Sequence, residues 1–229
     1  MDHILFLVRK MKLGIIHTSS NNAEKILEIA YERYPEIKVI NFVDEALWEL
    51  VVEAKGKMTQ RCNEILTEDF KRLEEAGCDG VGLLCSLVKE GMDTVRKNAN
   101  VPSVVYDDVA VEKAVELSDD GDTIAIIAMK EPPLPIAALA CEKAIQKSGK
   151  DIKIQQIVVE EAAKCPDPEL ADQCFIQYLE NHQEKYSAYV IPQVPLSRLM
   201  PSLRNMETPV FDSMETLLDG LVERVNSNH

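Results

Sequence analysis

Three things are scarce or missing in this sequence, and each absence removes a class of function. Basic residues are outnumbered: 25 lysines and arginines stand against 39 aspartates and glutamates, a formal charge of −14. No basic stripe is available to neutralise phosphates, so no nucleic-acid partner is expected. The acidic residues are scattered through helical stretches rather than massed in a tail, and they read as solvated faces. No apolar run approaches the roughly 20 residues of a membrane span, so no membrane partner is expected either. The six cysteines, at positions 62, 78, 85, 141, 165 and 174, contain no C-x-x-C and no metal-like spacing. That usage suits reduced thiols in a cytoplasm better than a disulfide framework, and the localisation expected is cytoplasmic.

What is present is enough chain, 229 residues, to bury a full core as one large domain or two small ones. The first ten residues, Met1 to Lys10, have an apolar centre but an acidic start and too short a run for a signal peptide. They read as an extension, residues 1–10, ahead of a domain that begins near Met11.

The organising stretch is Asp79-Gly-Val-Gly-Leu-Leu-Cys85-Ser86-Leu87. An apolar run stops at a thiol and a hydroxyl, and Val88, Met92 and Val95 follow at helical spacing. This predicts a buried parallel strand delivering Cys85 and Ser86 to its carboxyl end, where α/β sheets bind ligands. A helix starting at once would favour a thiolate there. Equally, Cys85 can be a small buried hydrophobe, as free cysteines often are.

Around that stretch, strands and helices alternate. Leu13–His17 reads as a strand, Thr18 to Asn22 as a turn of capping residues, and Ala23 to Tyr34 as a helix stopped by Pro35. Ile37–Val43 is a second strand closing at Asp44, and Thr59 caps a helix that ends at Gly77. After the Cys85 strand, Val101 to Tyr106 leads to Asp107 and Asp108. The pattern then restarts: a strand at Thr123–Ala128, a proline-opened helix, a strand at Ile152–Val159, a helix, and a strand from Ala188 to Gln193. Pro209 to Ser213 stands where Val104 to Asp108 stands in the first half, and a C-terminal helix follows. The fold class is therefore α/β, with two pseudo-symmetric, doubly wound lobes of parallel strands and a cleft between them. The lobes are expected at 11–106 plus 205–229, and at 107–204.

Five segments taken together carry a resemblance: Ile15-Ile-His17-Thr18, Val43-Asp44-Glu45-Ala-Leu47, Leu84-Cys85-Ser86, Val101-Pro-Ser-Val-Val-Tyr-Asp107 and Tyr189-Val-Ile-Pro-Gln193. In this order and spacing, from about Lys12 to Val222, they resemble the aspartate/glutamate/hydantoin racemase superfamily. The resemblance implies two α/β lobes with the active site between them and the C-terminal helix crossing back. It also implies chemistry without a cofactor, in which a cysteine from each lobe faces opposite sides of a substrate Cα. Cys85 matches the first-lobe cysteine. The second-lobe position falls within Pro192-Gln193-Val194-Pro195, which holds no thiol, and Gln193 cannot relay a proton. Met129 stands where relatives usually carry a threonine.

The candidate catalytic residue is Cys85. The candidate substrate-binding residues are His17, Thr18, Ser19, Asp44, Ser86, Asp107, Met129 and Gln193, most of them with an ordinary structural alternative. His17 can be a buried histidine, Thr18 and Ser19 can cap a helix, and Asp44 and Asp107 can do the same. Cys141, Cys165 and Cys174 read as core or surface thiols. The expected partner is a small carboxylic acid, and a homo-oligomer is compatible with the pattern. The reactions left open are one-sided proton transfer, cis–trans isomerisation through a thiol adduct, and racemisation with a non-cysteine partner. A non-catalytic carboxylate-binding protein is the rival from outside catalysis.

Overall fold

The computed structural model describes residues 10–228, so the expected N-terminal extension lies outside the described residues except for Lys10. The first half runs β1 (Lys12–His17), α1 (Ala23–Arg33), β2 (Lys38–Val43), α2 (Glu45–Glu53), α3 (Gln60–Glu75), β3 (Gly80–Leu84), α4 (Met92–Arg96) and β4 (Ser103–Val105). The second runs α5 (Tyr106–Leu117), β5 (Thr123–Ala128), α6 (Pro133–Ser148), β6 (Lys153–Val158), α7 (Glu160–Lys164), α8 (Pro168–Glu180), β7 (Ala188–Ile191), α9 (Met200–Leu203), β8 (Val210–Asp212) and α10 (Ser213–Ser227). They form two four-stranded parallel sheets, ordered β2-β1-β3-β4 and β6-β5-β7-β8. The same order appears twice, which is the internal repeat expected from the sequence.

Strand β5 shows why its apolar run is continuous. Ile124, Ile126 and Ala128 pack with Ala110, Ala114, Ala137 and Cys141 from α5 and α6. Ala125 and Ile127, facing the other way, pack with Phe175 and Leu179 of α8. A strand buried on both faces has no position for alternating polar residues. Each isoleucine fully buried this way contributes about 1.5–3 kcal/mol. The edge strand β6 (KIQQIV) is half exposed and correspondingly polar, as edges that must resist further pairing are.

By contacts the chain falls into two units. One holds residues up to Leu83, Glu90–Ser103 and those from Leu221 on; the other holds Leu84–Lys89 and Val104–Gly220. Leu84–Lys89, Val104–Tyr106 and residues 205–220, all expected in the first lobe, group here with the second unit. The loop carrying Cys85 groups with the second unit, and β8 pairs in parallel with β7, with Val190 opposite Phe211. Strand pairing is a long-range choice, and the linear spacing from which a boundary at residue 204 was drawn does not encode it.

One correction concerns the segment after β3. Residues 85–88 are not helical; a 3-10 turn covers Lys89–Gly91, and α4 has only five residues. Val88, Met92 and Val95 are buried as their spacing demands, but a turn meets that spacing as well as a helix does. A Cβ at Gly91 would lie 2.8 Å from Leu66 and 2.6 Å from Met58. Gly91 thus lets this segment pack closely on the Met58 and Leu66 side chains. Among the described residues no helix is long and apolar enough to cross a membrane.

Candidate functional site

Cys85 follows the last residue of β3 and is 8% exposed. Since no helix begins beside it, the argument for a thiolate held by a helix N-terminus does not apply. What surrounds it instead is a set of side chains from its own unit. The buried Tyr106, first residue of α5, has its hydroxyl in hydrogen-bonding interaction with Ser86 and Asp107, and the Cys85 thiol acts on it electrostatically. Burial, first of all, pushes the Tyr106 phenol well above its ordinary range, so it stays protonated and serves as a donor. Lys89, in the same loop, pairs with Asp108 at 2.7 Å.

Asp107 was expected at a strand end. It lies in the first turn of α5, fully buried, and its Oδ1 accepts a 2.9 Å hydrogen bond from Ser213. Its Oδ2 is buried without a hydrogen-bond partner. Burial raises its pKa to about 7, against the opposing pull of Lys89 and the Ser213 hydroxyl. Asp212, its counterpart in the repeat, is also buried. Its Oδ1 accepts from Ser197 at 2.9 Å and from the Met214 backbone at 2.7 Å, and its Oδ2 is likewise unpartnered. Burial takes Asp212 to about 7 as well. Two carboxyls at equivalent ends of two repeats are thus poised to change protonation near neutrality.

Gln193 follows β7. Its side-chain Oε1 accepts from the backbone N–H of Met129 at 2.9 Å and of Lys130 at 3.1 Å, tying the loops after β5 and β7 together. Met129 enters through its backbone, while its side chain packs against the second-unit core. Leu196, Leu199, Met200 and Leu203 are core.

The remaining candidates lie in the first unit. His17, 1% exposed at the end of β1, meets Asn41 Oδ1 through Nε2 at 2.9 Å, while Nδ1 is buried without a partner. Burial lowers its pKa, with the Asn41 bond opposing; the ring is therefore neutral. Thr18 is buried. Ser19 caps the 3-10 turn at Ser20–Asn22, accepting from the Asn21 N–H. Asp44 caps α2 through the Leu47 N–H at 2.9 Å, and its own N–H donates to the His17 carbonyl.

Asp69 and Ser213 were not singled out from the sequence. Asp69 is buried on α3, hydrogen-bonded to Asp44, and burial followed by the Asp44 charge raises it to about 7. A signal existed: Cys62, Leu66, Asp69 and Leu73 form one helical stripe, and the carboxyl occupies an apolar place in it. Ser213 carried no such mark. Among the described residues no group of three or more His, Cys, Asp or Glu side chains is placed to hold a metal ion.

The fold can be placed among known proteins. The chain aligns over 94% of its length with 94% of the aspartate racemase of Picrophilus torridus, with TM-score 0.64 and 12% identity. It aligns over 95% with 89% of the allantoin racemase of Klebsiella pneumoniae, with TM-score 0.64 and 15% identity. The glutamate racemase of Aquifex pyrophilus gives TM-score 0.55 at 18% identity, with 93% of this chain and 83% of that one covered. No protein-family model and no curated protein matches the sequence. The chain has the two-sheet α/β fold of the aspartate, glutamate and allantoin racemases.

Proposed function

We propose that this protein is a cofactor-independent enzyme of the racemase and isomerase type, moving a proton on a small carboxylic acid with Cys85 as base. The observation that carries this reading is the position of Cys85. A thiol at the carboxyl end of a buried strand shares its surroundings with Tyr106, Ser86 and Asp107, all in one polar network. A thiolate is a competent base near neutral pH. Lys89 is the cation in the same loop, paired with Asp108 and acting on the neighbouring Asp107.

The proton removed by Cys85 returns from Cys85. Gln193 has no dissociable proton near neutrality, so exchange on a single face is the reaction favoured over racemisation. Cis–trans isomerisation through a Cys85 adduct uses the same thiol. A second reading is favoured by one observation: the Gln193 side chain is committed to the Met129 and Lys130 amides. That suits a protein which binds a carboxylate without transforming it.

Incubating each enantiomer of aspartate and glutamate in deuterium oxide, followed by chiral chromatography and mass analysis, separates these readings. Deuterium entering one enantiomer with retained configuration, and lost in Cys85→Ala, is the expected result. Interconversion of both enantiomers would require a second acid or base. Absence of exchange with carboxylate binding intact would establish the binding protein.

A further inference from the structure

An amide side chain free in water offers a donor end and an acceptor end, and it turns either toward a ligand. Gln193 has lost that freedom. Its Oε1 lies between two backbone donors on consecutive residues, Met129 N–H at 2.9 Å and Lys130 N–H at 3.1 Å. Rotating the amide by half a turn would set its NH2 group against those same two N–H groups, with four donors and no acceptor. The two hydrogen bonds would be exchanged for a donor–donor clash, so the orientation is fixed. The residue is half-buried, and among the described residues no hydrogen bond is made by its Nε2.

We infer that Gln193 is a specificity-determining residue that presents only hydrogen-bond donors, locked in that sense by the Met129 and Lys130 amides, to recognise a carboxylate oxygen of the ligand. This deepens the reading of the preceding section by naming what the loop after β7 contributes: an oriented donor in place of an acid or base. The chemistry follows from the inventory. Nε2 carries two N–H groups and no lone pair available to accept, so it pairs with an oxygen that only accepts. A carboxylate is such a group at neutral pH, and a donor aimed at a charged acceptor forms the stronger kind of hydrogen bond. An ammonium or a hydroxyl offered as a donor at the same place is rejected, because two donors would meet.

The decisive variant is Gln193→Glu, which is nearly isosteric. One glutamate oxygen keeps both backbone N–H bonds, now charge-assisted, so the fold and the loop tie are retained. The other oxygen turns the outward end from donor into charged acceptor. Gln193→Met, which has similar length and makes neither bond, is the second variant. Calorimetric titration of the full chain with succinate and with glutarate reads binding without depending on turnover, and Cys85→Ser serves as a control on the thiol. Wild type and Cys85→Ser are expected to bind at least one of these dicarboxylates. Gln193→Glu should weaken that binding at neutral pH by about 10–100-fold, the size of one charged hydrogen bond lost or reversed, and recover it as the new carboxyl is protonated at acid pH. Gln193→Met should lose less and show no such pH recovery. Binding in Gln193→Glu equal to wild type overturns the inference, as does failure of wild type to bind either acid. Loss of deuterium exchange in a protein that still shows the Gln193→Glu effect removes the enzyme reading and leaves this one standing.

Discussion

The Ser213 hydroxyl donates a 2.9 Å hydrogen bond to Asp107 Oδ1 across 106 residues of sequence. It joins the first residue of α10 to the first turn of α5, so the last helix is fastened to the acid beside the candidate site. A buried carboxyl deprived of one donor bears the desolvation cost of that oxygen, about 1–3 kcal/mol. Ser213→Ala is expected to lower the free energy of unfolding by that amount. It should also raise the Asp107 pKa further, because the bond now opposes the effect of burial. Urea unfolding at pH 5 and pH 8 checks both, the loss being larger at the higher pH.

Stability should fall as the solution is made more alkaline. Asp69, Asp107 and Asp212 all stand at about 7 in the folded chain, against roughly 3.9 when unfolded. Between these values the folded state holds protons that the unfolded state has released. The stabilisation is complete below about pH 4 and is lost as pH rises through about 7. Each unit of difference corresponds to about 1.4 kcal/mol. Thermal unfolding across pH 5 to 8 is expected to show the decline, and Asp107→Asn and Asp212→Asn should each flatten it. A slope unchanged in both variants would show that the high net charge, and not these carboxyls, produces the decline.

The thiols should react in an order set by access. Cys165 and Cys174 are partly exposed and the other four are buried. Of those four Cys85, at the end of its strand, is the most accessible, whereas burial drives Cys141 up to about 12. Brief iodoacetamide treatment with mass-spectrometric mapping is therefore expected to modify Cys165 first, Cys85 first among the buried four, and Cys141 last. Cys85 reacting no faster than Cys62 or Cys78 would remove the support for a reactive thiol.

Gly220 lies within α10, where a glycine costs about 1 kcal/mol relative to alanine. Its value is in packing: a Cβ there would stand 2.4 Å from Val109 Cγ2 of α5. Gly220→Ala is expected to destabilise by about 1–3 kcal/mol through overpacking, against the gain in helix propensity. Denaturant unfolding measures the balance. Gly220→Ala combined with Val109→Ala, which removes the clashing methyls, should recover part of the loss.

Much of the architecture was determined by the sequence alone. The apolar runs at Leu13–Ile16, Val81–Leu84, Ile124–Ala128 and Ala188–Ile191 are buried strands because fully covered strands admit no polar alternation, and local composition records that. The cap at Thr59 and the proline at the start of α6 are equally local and were equally legible. Cys85 was legible as the residue where such a run stops. Tertiary structure decided the rest. The pairing of β8 with β7 and the grouping of the Cys85 loop are contacts between distant segments, which no window of sequence contains. Residues 85–88 form a turn and not a helix although Val88, Met92 and Val95 keep helical spacing, a distinction that periodicity cannot register. The carboxyls of Asp69, Asp107 and Asp212 and the locked amide of Gln193 owe their character to burial and to their partners. The same residue types on a solvated surface would titrate and rotate freely, so their chemistry was set only when the chain closed around them.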